Sequence, residues 1–114
     1  MFIYQELEEI KKMNVRGGEG MIRCRDYLQY CPEGMRFSSF GLNEMEPGST
    51  IPEHCHPDSA ELYFIVGGTG TGIHNGRQFS VNPCDAWLCN AGETHGILND
   101  SQEVLSFVSL FFTK

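Results

Sequence analysis

The stretch GSTIPEHCHPDSAELYFIVGG, Gly48 to Gly68, places two of the chain's four histidines and a glutamate within eight residues. On a β-strand, side chains two residues apart share a face, so His54 and His56 point one way while Glu53 and Cys55 point the other. Their Cα atoms then stand ~6.5–7 Å apart, a separation that two imidazoles can bridge onto one ion through bonds of ~2.0–2.1 Å. Pro57-Asp58-Ser59-Ala60 reads as a turn that returns the chain and brings Glu61 across from His56. From Glu61, alternation along ELYFIV puts Tyr63 and Ile65 on the same face. A fourth ligand has to come from elsewhere. NAGETHGILN offers His95 just after a glycine turn, on a strand that also carries Ile97 and Asn99 on that side.

Working outward, turn signals recur at short intervals: Gly17-Gly18, Pro32-Glu33-Gly34, Pro47-Gly48, Gly67-Gly68, Asn75-Gly76, Asn82-Pro83, Ala91-Gly92 and Asn99-Asp100. Between them lie MRFSSFGLNEM, ELYFIV, RQFSV, AWLC and VLSFVSLFF, short runs rich in β-branched and aromatic residues. That spacing predicts an all-β sandwich or barrel. Asn75-Gly76 predicts a two-residue type I′ hairpin, because both central residues of that turn need positive φ. Ahead of this pattern, Tyr4 to Met13 is expected as a short helix with its glutamates and lysines solvated. VLSFVSLFF is expected as a central strand covered on both faces. No repeat or linker divides the chain, so residues 1–114 are expected to form a single domain.

Composition narrows the partners. Fifteen acidic against eight basic residues give a formal charge of −7, which repels nucleic acid and anionic lipid alike. No apolar run reaches the length of a membrane helix, and Glu6, Glu8 and Glu9 interrupt the segment where a signal peptide needs apolar residues, so a cytoplasmic location is expected. Five cysteines without a C-x-x-C pair agree with a reduced compartment. Cys24, Cys31, Cys84 and Cys89 read as small, mostly buried apolar residues, and Cys55 as pointing away from the histidine face. His74, beside the hairpin turn, reads as a surface histidine.

The spacing of the polar residues closely resembles the cupin superfamily. Its first motif is matched by Gly48, His54, His56, Glu61 and Gly68, spanning residues 48–68. The second, spanning 84–99, is matched by Cys84, Asn90, Gly92, His95 and Asn99. All four ligand positions are filled. Two structural positions depart: Cys84 stands for a turn glycine, which predicts a type I turn over Asn82-Pro83-Cys84-Asp85, and Asn90 stands for a proline. The resemblance implies a double-stranded β-helix, the jelly-roll barrel of cupins, with a short N-terminal segment. It further implies a divalent transition metal on His54, His56, Glu61 and His95. The upstream segment VRGGEGMI, Val15 to Ile22, adds a likeness to small single-domain bacterial cupins of the oxalate-decarboxylase-like or sugar-isomerase-like kind.

Three neutral imidazoles and a carboxylate on a divalent ion leave a local charge of about +1 and one or two open positions on an octahedral ion. Such a centre suits Mn, Fe or Ni, and Zn at lower coordination. It draws in a small anionic molecule, a carboxylate or sugar derivative. Decarboxylase, dioxygenase and isomerase chemistry all occur in the family, as does binding without catalysis. Both alternatives stay open at this point. Tyr63, on the ligand face, and Glu93, on the loop before His95, are the candidate catalytic residues. Arg23, Arg25 and Arg36 are candidates to clamp a carboxylate. Small cupins pair through barrel strands, so a homodimer is expected.

Overall fold

A computed structural model describes residues 3–28, 32–34 and 38–113. Ten strands occur among them: β1 (Ile10–Met13), β2 (Met21–Asp26), β3 (Ser39–Met45), β4 (Thr50–Cys55), β5 (Ala60–Gly67), β6 (Gly70–His74), β7 (Arg77–Val81), β8 (Ala86–Cys89), β9 (Thr94–Leu98) and β10 (Leu105–Phe112). They form a six-stranded sheet in the order β1-β2-β3-β10-β5-β8 and a four-stranded sheet in the order β4-β9-β6-β7. Every neighbouring pair is antiparallel. The double-stranded β-helix expected from the sequence is the fold observed.

The alternation of the strands builds the core between the two sheets. Met45, Ile65, Ile97, Leu105 and Phe107 are buried there with Ile22, Ile51, Tyr63 and Val81. The tight turn after β6 follows the sequence expectation, with Asn75 at φ 48° and Gly76 at φ 78° joining β6 to β7. Gly68 serves a different need: besides its φ of 82°, a Cβ there would meet the Val104 carbonyl oxygen at 2.3 Å. Asn99, buried at the end of the second motif, donates through Nδ2 to the Met45 and Glu103 carbonyls, and its Oδ1 accepts from Ser101, clipping the loop between β9 and β10.

Four expectations need correction. The N-terminal helix is one turn, Ile3–Glu6, and Ile10–Met13 is strand β1, paired antiparallel with β2. An isolated ten-residue helix is marginal in water, whereas the open edge of β2 offers a ladder of backbone partners. The turn over residues 82–85 places Cys84 at φ 76°, the geometry of a type II turn, with Asp85 N–H donating to the Asn82 carbonyl at 3.0 Å. The Cys84 backbone N–H also donates to Ile65 O, and Ile65 N–H to Asp85 O. Tertiary bonds therefore impose a conformation that costs a Cβ-bearing residue about 1–2 kcal/mol. Cys84 is also exposed, not buried; Cys24 is half-buried, Cys89 buried and Cys55 exposed, while Cys31 lies outside the described residues. Finally, β10 is central in its sheet, but its outer face is only half covered: Val108 and Leu110 are half-buried and Phe112 is exposed.

Candidate metal centre

Strand β4 does not run in simple register with β9. Ile51 pairs with Ile97 and His54 with His95, so three steps on β4 face two on β9. The extra residue is a β-bulge at Pro52-Glu53, which re-aims the side chains that follow it. Without it, Ile51 and Glu53 would share the core face. With it, Glu53 turns out to solvent, and His54 and His56 turn inward. Pro52 was the legible signal, since proline within a sheet is confined to edges and bulges.

The inward turn brings four side chains together. His54 comes from β4, His56 from just beyond its end, Glu61 from β5 and His95 from β9, and one ligand atom from each lies within 4.8 Å of all the others. Ligands on opposite sides of an ion with bonds of ~2.1 Å stand ~4.2 Å apart, so the set is close to what one ion requires. The Nε2 atoms of His54 and His56 are 3.1 Å apart. Glu61 Oε1 lies 3.3 Å from His56 Nε2 and 2.9 Å from His95 Nε2.

The donor set itself tests whether a metal fits. His54 Nδ1 is 2.7 Å from the Pro52 carbonyl oxygen and donates to it, which fixes the proton on Nδ1 and leaves the Nε2 lone pair facing the cluster. His95 is completely buried, and neither ring nitrogen has an aligned hydrogen bond among the described residues, despite the short approach of Glu61. Leaving such a group unpaired costs about 1–3 kcal/mol, which an ion on Nε2 would offset. Burial lowers the pKa values of both His54 and His56, partly opposed by the bond to Pro52 in the first and by the Glu61 charge in the second. Neutral imidazole is the form a metal needs. His54, His56, Glu61 and His95 can therefore hold one divalent ion.

Around this cluster lies a cavity of about 270 Å³, lined by His54, His56, Glu61 and Tyr63 and by residues of β2, β3 and β10. The Tyr63 ring stacks on His95 at 4.5 Å and 16°. Burial, together with the charge of Glu61 and a hydrogen bond to it, pushes the Tyr63 phenol well above its ordinary pKa. Phe111 packs edge-on against His56 at 4.9 Å.

Glu93 does not line the cavity. Its carboxylate accepts from the Asn75 amide at 2.7 Å and from the Asn90 backbone N–H at 2.9 Å, and lies 2.9 Å from His74 Nε2. Asn90, standing where the family motif has proline, supplies the very N–H that proline lacks. Arg23 and Arg25 face Glu9 and Glu44 on the outer side of β2, and Arg23 also pairs with Glu46. Arg25 is nevertheless among the residues lining the cavity, while Arg36 lies outside the described residues. Sequence reasoning passed over Arg16, which lines the cavity from a short 3-10 turn, Val15–Gly17, at φ 56°. It makes no ion pair among the described residues, and its charge helps to lower the pKa values of His54 and His56, after burial. The signal was its place in VRGGEGMI, the segment that carried the family likeness.

The Cupin_2 family, described as the cupin domain, matches residues 41–111, more than half of the chain. The chain belongs to the cupin domain family. An oxalate-binding protein from Thermotoga maritima is 28% identical over 97 residues, covering 85% of this chain and 80% of the relative. The crystal structure of a predicted oxalate decarboxylase from Thermotoga maritima superposes with a TM-score of 0.88 at 27% identity, covering 96% of each chain. A sugar phosphate isomerase of the cupin superfamily from Silicibacter pomeroyi shares the fold, with a TM-score of 0.78 at 16% identity over 97% of this chain and 73% of that one. No helix among the described residues of this cupin is long and apolar enough to cross a membrane.

Proposed function

We propose that this cupin binds a small, oxygen-rich carboxylate at a divalent ion held by His54, His56, Glu61 and His95. The observation that carries the reading is the convergence of those four groups within 4.8 Å of one another, three of them lining a cavity, with the His54 Nε2 lone pair turned to the cluster by the bond of Nδ1 to Pro52. When bound, the ion supplies net positive charge and open positions for carboxylate oxygens. Mn(II), Fe(II) or Ni(II) suits such a centre better than Zn(II), because four protein ligands leave two sites of an octahedral ion free for chelation. Arg16 and Lys12 line the same cavity and add positive charge in a chain whose formal charge is −7. The oxalate-binding relative supports a small dianion or monoanion as the ligand class.

Binding is better supported than turnover. Apart from Glu61, the acid lining the cavity is Asp26, and its Oδ1 already accepts the Leu28 backbone N–H at 2.9 Å. Glu93 is taken up by His74, Asn75 and Asn90. Tyr63, its pKa raised by burial, keeps its proton and donates it to Glu61, so it serves to hold the carboxylate and not as a base. Decarboxylase, dioxygenase and isomerase activities are the alternative. Calorimetric titration of oxalate into Mn(II)-loaded protein, metal-free protein and a His56→Ala variant separates them: heat of binding in the first alone, with no loss of oxalate over hours, is expected. Equal binding by all three sinks the metal reading, and oxalate consumption replaces binding by catalysis.

The same reading takes residues 1–114 as one domain, supported by β1 and β2 extending the sheet of β3, β10 and β5. It also takes the protein as a homodimer. Phe64, Val66, Leu88 and Phe112 are exposed on β5, β8 and β10, giving an apolar outer face that a second copy could cover. A monomeric mass by sedimentation at micromolar concentration would contradict the dimer.

A further inference from the structure

We propose that the floor of the cavity carries a second recognition subsite, formed by Ser109 and Asn43, and that the ligand is a hydroxylated carboxylate long enough to reach it. The proposal rests on the metal-centred reading above and names the ligand class of that site more narrowly.

The inner face of the six-stranded sheet sets the geometry. On β10, Phe111 stands opposite Glu61 and Ser109 opposite Tyr63, so Ser109 is the diagonal neighbour of the carboxylate ligand, a separation of roughly 7–8 Å. On the far side of β10, Ser109 stands opposite Gly41, and Asn43 follows two residues along β3. Ser109, Asn43, Ser39 and Cys24 all line the cavity together with the metal-ligand residues His54, His56 and Glu61. A polar stripe therefore runs across the sheet away from the ligand cluster, with Ile22, Ile51, Phe107 and Phe111 as apolar walls.

The hydrogen bonds along this stripe are incomplete in one direction. Cys24 Sγ–H donates to Asn43 Oδ1 at 3.1 Å, and Asn43 Nδ2 donates to Ser109 Oγ at 3.1 Å. Burial raises the Cys24 thiol's pKa and so keeps it a donor. The chain ends on Ser109, a residue only 9% exposed, whose hydroxyl proton has no acceptor among the described residues. An amide has two N–H bonds, and the second on Asn43 is likewise unspent there. Two donors facing a cavity, one buried on Ser109 and one half-buried on Asn43, call for an acceptor oxygen. An oxygen of the ligand supplies it.

A two-carbon dianion that chelates an ion through one oxygen of each carboxylate has its two outer oxygens held near the ion, on a skeleton with no arm to extend along the stripe toward Asn43. Nor does it fill the space: about 270 Å³ approaches the ~300 Å³ at which pockets begin to hold drug-sized ligands. A carboxylate with a hydroxylated carbon chain meets both requirements. Gly41, on the same face as Ser39 and Asn43, keeps the floor open; a Cβ there would lie 3.9 Å from Ser109 Oγ and 3.4 Å from the Arg25 carbonyl, ordinary contacts that leave the fold intact.

Gluconate and oxalate are the probes, titrated calorimetrically into protein whose Mn(II) content is checked by elemental analysis. Gluconate is expected to bind at least about tenfold more tightly than oxalate. Ser109→Ala should weaken gluconate about five- to tenfold, the loss of one buried hydrogen bond, and change oxalate less than about twofold. Gly41→Ala should weaken gluconate and spare oxalate. Equal or tighter oxalate binding, or variants that weaken both probes alike or neither, overturns the subsite. In that event His56→Ala still abolishes both if the metal reading stands. Gluconate binding that survives His56→Ala, or failure of the protein to take up Mn(II), overturns the metal reading and this proposal together.

Discussion

Two histidine–carboxylate clusters lie within a few residues of each other in this fold, and they are finished in opposite ways. In the outer one, Glu93 accepts from Asn75 and Asn90 and lies beside His74, while Glu53 Oε2 accepts from the Gly76 N–H at 2.7 Å and the Thr94 hydroxyl at 2.5 Å. Each carboxylate is occupied by N–H or O–H donors of the chain itself, and those bonds lower the pKa values of both glutamates. The cluster clasps the β6–β7 hairpin to the start of β9. In the inner one, three imidazoles and Glu61 face each other, with His54, His56 and Glu61 lining a cavity and His95 fully buried behind them. His74 Nε2 and His95 Nε2 both lack an aligned partner among the described residues, so the difference lies in the carboxylates, spent on donors of the chain in the outer cluster, and in the four inner ligand atoms within 4.8 Å of one another.

Removing one histidine from each cluster is the largest test of that contrast. His56→Ala is expected to lower metal affinity by more than about 100-fold, and His74→Ala to leave it within about threefold, both read by competition with a coloured chelator. A comparable loss in both variants would erase the distinction between the clusters.

The two clusters should also come apart at different pH in metal-free protein. His54 and His56 have folded pKa values below 6.5, so the unfolded chain takes up protons first as pH falls below that value. The stability they contribute is present above about 6.5 and is lost as pH falls through their lower folded values. Glu53 and Glu93 have folded pKa values below 4.5, so their contribution survives that first window and disappears only as pH falls below 4.5. Thermal melts of the metal-free protein should show a first decline beginning near pH 6.5 that His54→Ala diminishes, and a second below 4.5 that Glu93→Gln diminishes. A flat profile from pH 7.5 to 5 would contradict the first half.

The smallest expected effect lies outside both clusters, at the strained turn. Cys84→Gly relieves a positive φ but gives the unfolded chain more freedom, so a gain of up to about 1 kcal/mol in unfolding free energy is expected, with metal affinity unchanged. A loss of stability would show that the Cys84 side chain makes a favourable contribution there.

Much of the barrel was legible because period-two alternation and turn residues are local signals. His54, His56, Glu61 and His95 were legible through spacing within two motifs. What escaped were matters settled by tertiary pairing. The strand β1 forms because β2 has a free edge, which no local propensity reports. Cys84 adopts positive φ because its N–H reaches Ile65 across the sheet. Ser109 and Asn43 read in sequence as polar residues on apolar strands; only the meeting of β3, β10 and β5 makes them a cavity floor. Glu93 looked available because two of its three partners, His74 and Asn75, come from the distant β6–β7 turn and only Asn90 from its own loop.

The most direct measurement is an anomalous difference map from crystals of the protein as isolated, collected on both sides of the absorption edge of the metal that elemental analysis detects. A single peak among His54 Nε2, His56 Nε2, Glu61 and His95 Nε2 is the predicted result. A peak at His74, Glu53 and Glu93, or no peak within bonding distance of the inner four, would contradict it.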